Sequence, residues 1–278
     1  TSTFDQLVED NGTGFNQQKV FYIPKVTKEN GVYTDFTSLL DAMKANPTGT
    51  FKLGANLYAD EVQVGDVKAY MTDTFQGTLL GESNGNKYAI HNLKAPLFAK
   101  IEHATISGID LKNVQISSAL HRDLGSLANE TAYSTISDVA VQGNLRAQRN
   151  LGGIVYKLDY QSRLSNASFQ GKLDSYGRGE SYVGGIVGMN PGSYIRDVKA
   201  DVNISILGEN NQAAGAIAGR VTGWQSGNEI NIKNAYATGS VTNLGTSQKV
   251  GGMVGTNDRG WNYGSFDNLV SQVQVTGG

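Results

Sequence analysis

The sequence predicts an all-β fold, a right-handed parallel β-helix (β-solenoid) entered through an N-terminal capping helix. Three observations predict it. An apolar-x-Asn/Asp-apolar pattern recurs seven times, a small-residue marker recurs four times ahead of it, and only one stretch has helical periodicity. Regular recurrence over tens of residues is the signature of a solenoid, in which each coil buries its apolar face against its neighbours.

The Asx positions are Asn92, Asn113, Asp138, Asn166, Asp197, Asn234 and Asn268, separated by 21, 25, 28, 31, 37 and 34 residues. Around them apolar and polar residues alternate, as in Ile109, Leu111, then Val114, Ile116, which is the period of a strand with one face in a core. The Asx stands where the alternation breaks phase. Asn and Asp tolerate the left-handed backbone region and bond their own main chain, so each is expected to mark a corner between strands. Stacked coils are expected to align these corners into one Asx ladder.

The second marker is Gly152-Gly153-Ile154-Val155, Gly184-Gly185-Ile186-Val187, Gly215-Ala216-Ile217-Ala218 and Gly251-Gly252-Met253-Val254, its first glycines 32, 31 and 36 residues apart. It keeps time with the corners. Small residues let neighbouring coils approach closely while the apolar pair fills the interior. A phosphate-binding loop is not indicated, because neither Gly-x-Gly-x-x-Gly nor Gly-Lys-Ser/Thr occurs.

In chain order, Phe21-Tyr22-Ile23 reads as a strand and Glu29-Asn30-Gly31 as a turn. Thr34 or Asp35 can cap a helix in which Phe36, Leu39, Leu40 and Met43 hold i, i+3, i+4, i+7 spacing and Asn46-Pro47 stops it. An open solenoid end exposes strand edges, so this helix is expected to cover one. Residues 1–60 are assigned to the N-terminal strand and capping helix, and residues 61–278 to about seven coils of one continuous unit. The chain finishes Val273-Gln274-Val275-Thr276-Gly277-Gly278 without a comparable cap and starts without Met, so it is expected to be a piece of something longer.

Composition narrows the function classes. The chain has 278 residues, 35 of them Gly and only 4 Pro, which fits a turn-rich β-protein. A net charge of -2 with scattered Lys and Arg leaves no basic stripe for nucleic acid. No segment approaches the ~18 apolar residues of a membrane helix, so no membrane insertion is expected. Cysteine is absent, which removes disulfides and thiolate metal sites.

The loops after the glycine marker lengthen along the chain and each holds an aromatic residue. Tyr160, Tyr194, Trp224, Trp261 and Tyr263 form a candidate binding face, because register brings these loops to one side and rings give large contact area at low entropic cost. The alternative is that they fold over the coil ends and shield the sheet. Catalytic and metal residues are expected to be absent. His91, His103 and His121 form no His-Glu-x-x-His, and His121-Arg122-Asp123 shares only letters with a kinase catalytic loop. No nucleophile elbow is expected, on the reading that Gly-x-Ser-x-Gly is missing. Asp110, Asp138 and Asp197 are weighed as carbohydrate-cleaving acids, but two of them fill positions that Asn fills elsewhere, which favours a structural role.

Several segments carry a resemblance: Asn92-Leu93-Lys94-Ala95-Pro96-Leu97-Phe98, Ala104 to Ile116, Val183-Gly184-Gly185-Ile186-Val187-Gly188, Ala235-Tyr236-Ala237-Thr238-Gly239, and upstream Thr50 to Leu57 and Phe75 to Leu79. Over most of its length, from about Gly31, the chain resembles the N-terminal region of the Gram-positive immunoglobulin A protease family, zinc metalloendopeptidases of the bacterial surface. The resemblance implies an extracellular accessory domain, at the cell surface or secreted, with no catalytic residue to carry over. It implies zinc, but in a separate C-terminal peptidase domain, and no cofactor in this stretch. The implied partners are that peptidase domain and a host protein such as immunoglobulin A. The rival reading is a self-sufficient adhesin or glycan-binding β-helix.

Overall fold

The computed structural model describes residues 31–209, 213–223, 229–245, 249–259 and 262–277. The strand expected at Phe21-Tyr22-Ile23 lies outside them. The described chain is a parallel β-solenoid of about seven coils with one α-helix, α1 (Phe36–Ala45). Three sheets run along it. The longest has 12 strands and includes Thr135–Ala147, Arg163–Ser175, Tyr194–Ile206, Ile232–Asn243 and Phe266–Thr276. A six-stranded sheet contains Phe98–Glu102, Ala128–Ala132, Val155–Asp159, Val187–Pro191, Ala218–Thr222 and Val254–Asn257. A five-stranded sheet contains Asp123–Gly125, Asn150–Gly152, Tyr182–Gly184, Ala213–Gly215 and Val250–Gly251.

Each later coil therefore runs from the short third sheet, through the glycine marker, into the six-stranded sheet and round a corner into a long strand. Register is kept from coil to coil: Ile106, Ile136, Leu164, Ile195 and Ile232 pair in succession and are all fully buried. Each such side chain stabilises the fold by about 1.5–3 kcal/mol through burial. The glycine marker works by close approach. A Cβ on Gly152 would lie 1.7 Å from the carbonyl oxygen of Val155, and one on Gly153 would lie 2.0 Å from that of Gly185.

Helix α1 is capped by Asp35, not Thr34: the Asp35 carboxylate accepts from Ser38 N at 2.8 Å. Its buried residues are the four that the spacing picks out, Phe36, Leu39, Leu40 and Met43. Interior rings continue the core beyond it, with Phe75 stacked on Phe98 at 4.8 Å. Val32–Tyr33 and Thr50–Leu53 already pair in the 12-stranded sheet, so the sheet begins within residues 1–60.

All seven Asx residues have left-handed backbone, with φ between 49° and 68°. Asn92 follows the strand Ala89–His91, and Asp138, Asn166, Asp197, Asn234 and Asn268 bend the long strands at positions that the main-chain pairing skips. Their placement differs from the expectation in one way: they do not form one ladder. Asn92 and Asn113 stack on Asp60, whereas Asp138, Asn166, Asp197, Asn234 and Asn268 stack in a second column that continues Gly108 (φ 69°). The same four-residue pattern thus serves two positions of the coil. The 25-residue step from Asn113 to Asp138 reflects that change of column, whereas the 21 residues from Asn92 to Asn113 are one shorter coil.

Candidate functional site

The Asx columns are hydrogen-bonded and not chemically idle carboxylates. In the first, Asn113 Nδ2 donates to Asn92 Oδ1 at 2.7 Å and Asn92 Nδ2 donates to Asp60 Oδ1 at 2.8 Å. In the second, Asn166 Nδ2 donates to Asp138 Oδ1, Asn234 Nδ2 to Asp197 Oδ1 at 3.0 Å, and Asn268 Nδ2 to Asn234 Oδ1 at 2.9 Å. Every run ends on an Asp, because a carboxylate accepts and cannot donate. The amide of Asn92, with a further hydrogen bond from the backbone, holds the Asp60 carboxyl below the usual range. A groove of about 460 Å³ follows the second column, bordered by Glu82, Lys87, Asp138, Asn166, Asp197 and Lys199. Asp110 lies apart from the column residues and pairs with Lys87 Nζ at 3.1 Å.

The aromatic face is only partly as expected. Tyr160 stands at a corner with φ 47° and is 36% exposed. Tyr194 is 6% exposed, with the Arg163 guanidinium 4.6 Å from its ring centroid and Arg196 at 5.8 Å, so its ring is not available to a ligand. The reason is its place in the coil: it starts a long strand next to Arg163, where outward residues pack against their neighbours. Tyr263 is 61% exposed, in a segment that accepts a hydrogen bond from Gly223 N through Asn262 O at 2.7 Å. Trp224 and Trp261 lie outside the described residues.

Two residues that the sequence reading passed over complete the exposed part of this corner. His103 and Tyr133 occupy the same turn in the two preceding coils, both left-handed at φ 51° and 50°. His103 stacks on Tyr133 at 4.9 Å and Tyr133 on Tyr160 at 5.4 Å, with interplanar angles of 5° and 16°. A signal existed in the sequence: Tyr133 stands five residues ahead of Asp138 and Tyr160 six ahead of Asn166. Beneath the rings runs a buried serine ladder, in which Ala104 N, Ser134 N and Ser162 N donate to Ser134 Oγ, Ser162 Oγ and Ser193 Oγ at 3.0, 3.2 and 3.0 Å. It satisfies main-chain donors at the turn and fixes its shape.

The three histidines are dispersed. His91 stacks on Tyr58 at 4.9 Å, His103 belongs to the aromatic stack, and His121 Nε2 is 3.2 Å from the carbonyl oxygen of Asp66. Among the described residues no three His, Asp or Glu side chains converge to hold a metal ion, so they do not fit a zinc site. The letters Gly-x-Ser-x-Gly do occur, at Gly81-Glu82-Ser83-Asn84-Gly85, and correct the expectation that they would be missing. They form no elbow: Ser83 and Asn86 pair across an antiparallel hairpin whose turn is Asn84-Gly85, and Ser83 Oγ donates to Leu53 O at 2.9 Å.

With this geometry in hand, the sequence profile of the M26 IgA1-specific metallo-endopeptidase N-terminal region matches residues 1–143, just over half of the chain. The chain belongs to that family. The immunoglobulin A1 protease of Streptococcus pneumoniae strain R6 is 36% identical over all of this chain, which spans 14% of that relative. Zinc metalloprotease ZmpC of Streptococcus pneumoniae serotype 4 is 35% identical, again over the whole chain and 15% of the relative. A solved IgA1 protease structure superposes with a TM-score of 0.75 at 34% identity, over 92% of this chain and 20% of the other. The M26 relatives are thus much longer zinc metalloproteases, and this chain corresponds to a part of their N-terminal region.

Proposed function

We propose that this M26 region is a non-catalytic accessory module that positions a host glycoprotein, immunoglobulin A or a similar protein, for a zinc peptidase domain elsewhere in the same polypeptide. The carrying observation is the combination of the M26 N-terminal match with an unbroken solenoid whose described His, Asp and Glu side chains gather no metal-ligand set. Its carboxylates are instead engaged in ladders and ion pairs. The module works outside the bacterium, at the cell surface or in secreted form, with zinc bound by the peptidase domain. Its regular rungs make it a rigid arm, since each coil is fixed by main-chain pairing to the next.

The test compares the parent protease with and without this region on two substrates, intact immunoglobulin A and a short peptide spanning the cleaved bond. Loss of the region is expected to raise KM for the glycoprotein while leaving peptide turnover unchanged. Equal loss on both substrates, or chelator-sensitive cleavage of immunoglobulin A by this chain alone, overturns the proposal. A second reading, a self-sufficient adhesin, is favoured by the exposed stack at Tyr133 and Tyr160. It predicts that this chain alone adheres to host surfaces and that Trp224→Ala with Trp261→Ala abolishes adhesion.

A further inference from the structure

The corner stack is costly to build. His103, Tyr133 and Tyr160 all sit in the left-handed region, where a bulky side chain is strained. Their rings are also left in water: Tyr133 is 49% exposed and the His103 side chain 64%. Ring stacking offsets that strain, yet Gly or Asn would make the same turn without it. A turn alone therefore does not require rings at this position.

The surroundings define what the rings can meet. Stacking covers the faces between neighbouring rings and leaves part of each ring exposed. Two residues after His103 and Tyr133 stand Thr105 and Thr135, which continue a column from Thr50 and Thr78 along the 12-stranded sheet; on the Tyr160 coil Arg163 takes that place. Two residues beyond lies a column of serines, where Ser137 Oγ donates to Ser107 Oγ at 3.2 Å and Ser165 follows. The bordering charges are paired: Lys100 with Glu102 at 3.4 Å, Lys157 with Asp159 at 3.4 Å, and Arg163 with Glu229 at 2.6 Å. The strip is rich in hydroxyls, edged by aromatics and bordered by ion pairs.

We infer that this strip binds an extended, uncharged glycan chain running along the solenoid axis beside His103, Tyr133 and Tyr160. Its repeat selects that ligand. Hydroxyls and ring edges recur once per coil, about 4.8 Å, close to the length of one pyranose unit in an extended chain, whereas an extended peptide repeats its same-face side chains at about 6.6 Å and drifts out of register. Sugar hydroxyls can exchange hydrogen bonds with a Ser on each rung and with Thr105 and Thr135 on two of them. Charge neutrality favours a neutral glycan over a nucleic acid or sulfated chain. The inference deepens the positioning role, since a glycan on the substrate is what such an arm would hold.

The test titrates the 278-residue chain with chitohexaose, a neutral β-1,4-linked hexasaccharide, following tyrosine fluorescence and calorimetry. Saturable binding is expected, with affinity rising from di- to trisaccharide and then levelling as the three rungs are filled. Tyr133→Asn removes the ring from the middle of the stack but suits the left-handed backbone, so the fold is kept while affinity falls at least tenfold; His103→Asn is the second variant. No saturable binding, binding indifferent to both variants, or tighter salt-sensitive binding of a heparin hexasaccharide overturns the inference. If immunoglobulin A still binds the chain unaffected by Tyr133→Asn, the glycan strip is wrong while the positioning reading stands.

Discussion

The side-chain amide of Asn166 donates to Oδ1 of Asp138 one coil away, but Asp197, opposite Asn166 on the other side, has no proton to give back. The second Asx column is therefore two hydrogen-bonded runs, Asp138–Asn166 and Asp197–Asn234–Asn268, that abut without a donor between them.

Asp197→Asn supplies that donor and suits the same left-handed backbone. It should stabilise the chain by about 0.5–1.5 kcal/mol. The thermal midpoint should rise by roughly 2–4 °C per kcal/mol in calorimetry, the scale for a chain of this order of size. The opposite change, Asn166→Ala, loses a rung and places Ala at φ 49°, so the midpoint should fall by more than the gain.

Gly153→Ala should prevent normal folding. The added Cβ meets the Gly185 carbonyl at 2.0 Å and the Phe169 ring at 2.6 Å, a clash that costs about 3 kcal/mol or more. Gly65→Ala, where nothing lies within 4 Å, is the control and should leave the urea midpoint unchanged.

Acid stability should depend on Asp66. Burial alone would push its carboxyl up, but hydrogen bonds from Ser118 Oγ, Ala119 N and Leu120 N outweigh it and hold the group below the usual range. A lowered folded-state value means a contribution present above the unfolded value, roughly 4, and lost as pH falls through the lower folded one. Asp60 and Glu229 act in the same direction, through Asn92 and Arg163. The thermal midpoint should be nearly flat from pH 7 to 5 and drop below pH ~4, with a shallower drop in Asp66→Asn.

Asp35→Ala removes the side-chain acceptor of Ser38 N at the start of α1, where Glu61 Oε1 also accepts from Thr37 N at 3.1 Å, and should cost about 1 kcal/mol. Hydrogen exchange should rise first in residues 36–39, ahead of the solenoid strands, because the helix is held by its cap and one apolar face.

Much of the scaffold was legible because it is local and periodic. Phe36, Leu39, Leu40 and Met43 are spaced as a helix face and are buried as one; Ile136, Leu164 and Ile195 each follow the period of a strand and stack in register. The candidate site was less legible. Tyr194 and Tyr160 look equivalent in the sequence, yet Arg163 and Arg196 cover one ring and leave the other in solvent. His103 and Tyr133 stand in shorter turns than Tyr160, so their shared corner shows only once the coils are in register.

The sequence by itself determined the solenoid, since alternation, Asx kinks and close-approach glycines are properties of a residue and its immediate neighbours repeated coil after coil. Only the tertiary structure decided that the seven Asx residues fall into two columns, and that His103, Tyr133 and Tyr160 share one stack. Both depend on lateral register between coils, which is set by the lengths of intervening loops and by main-chain pairing across roughly thirty residues. A four-residue pattern carries no record of which column it joins.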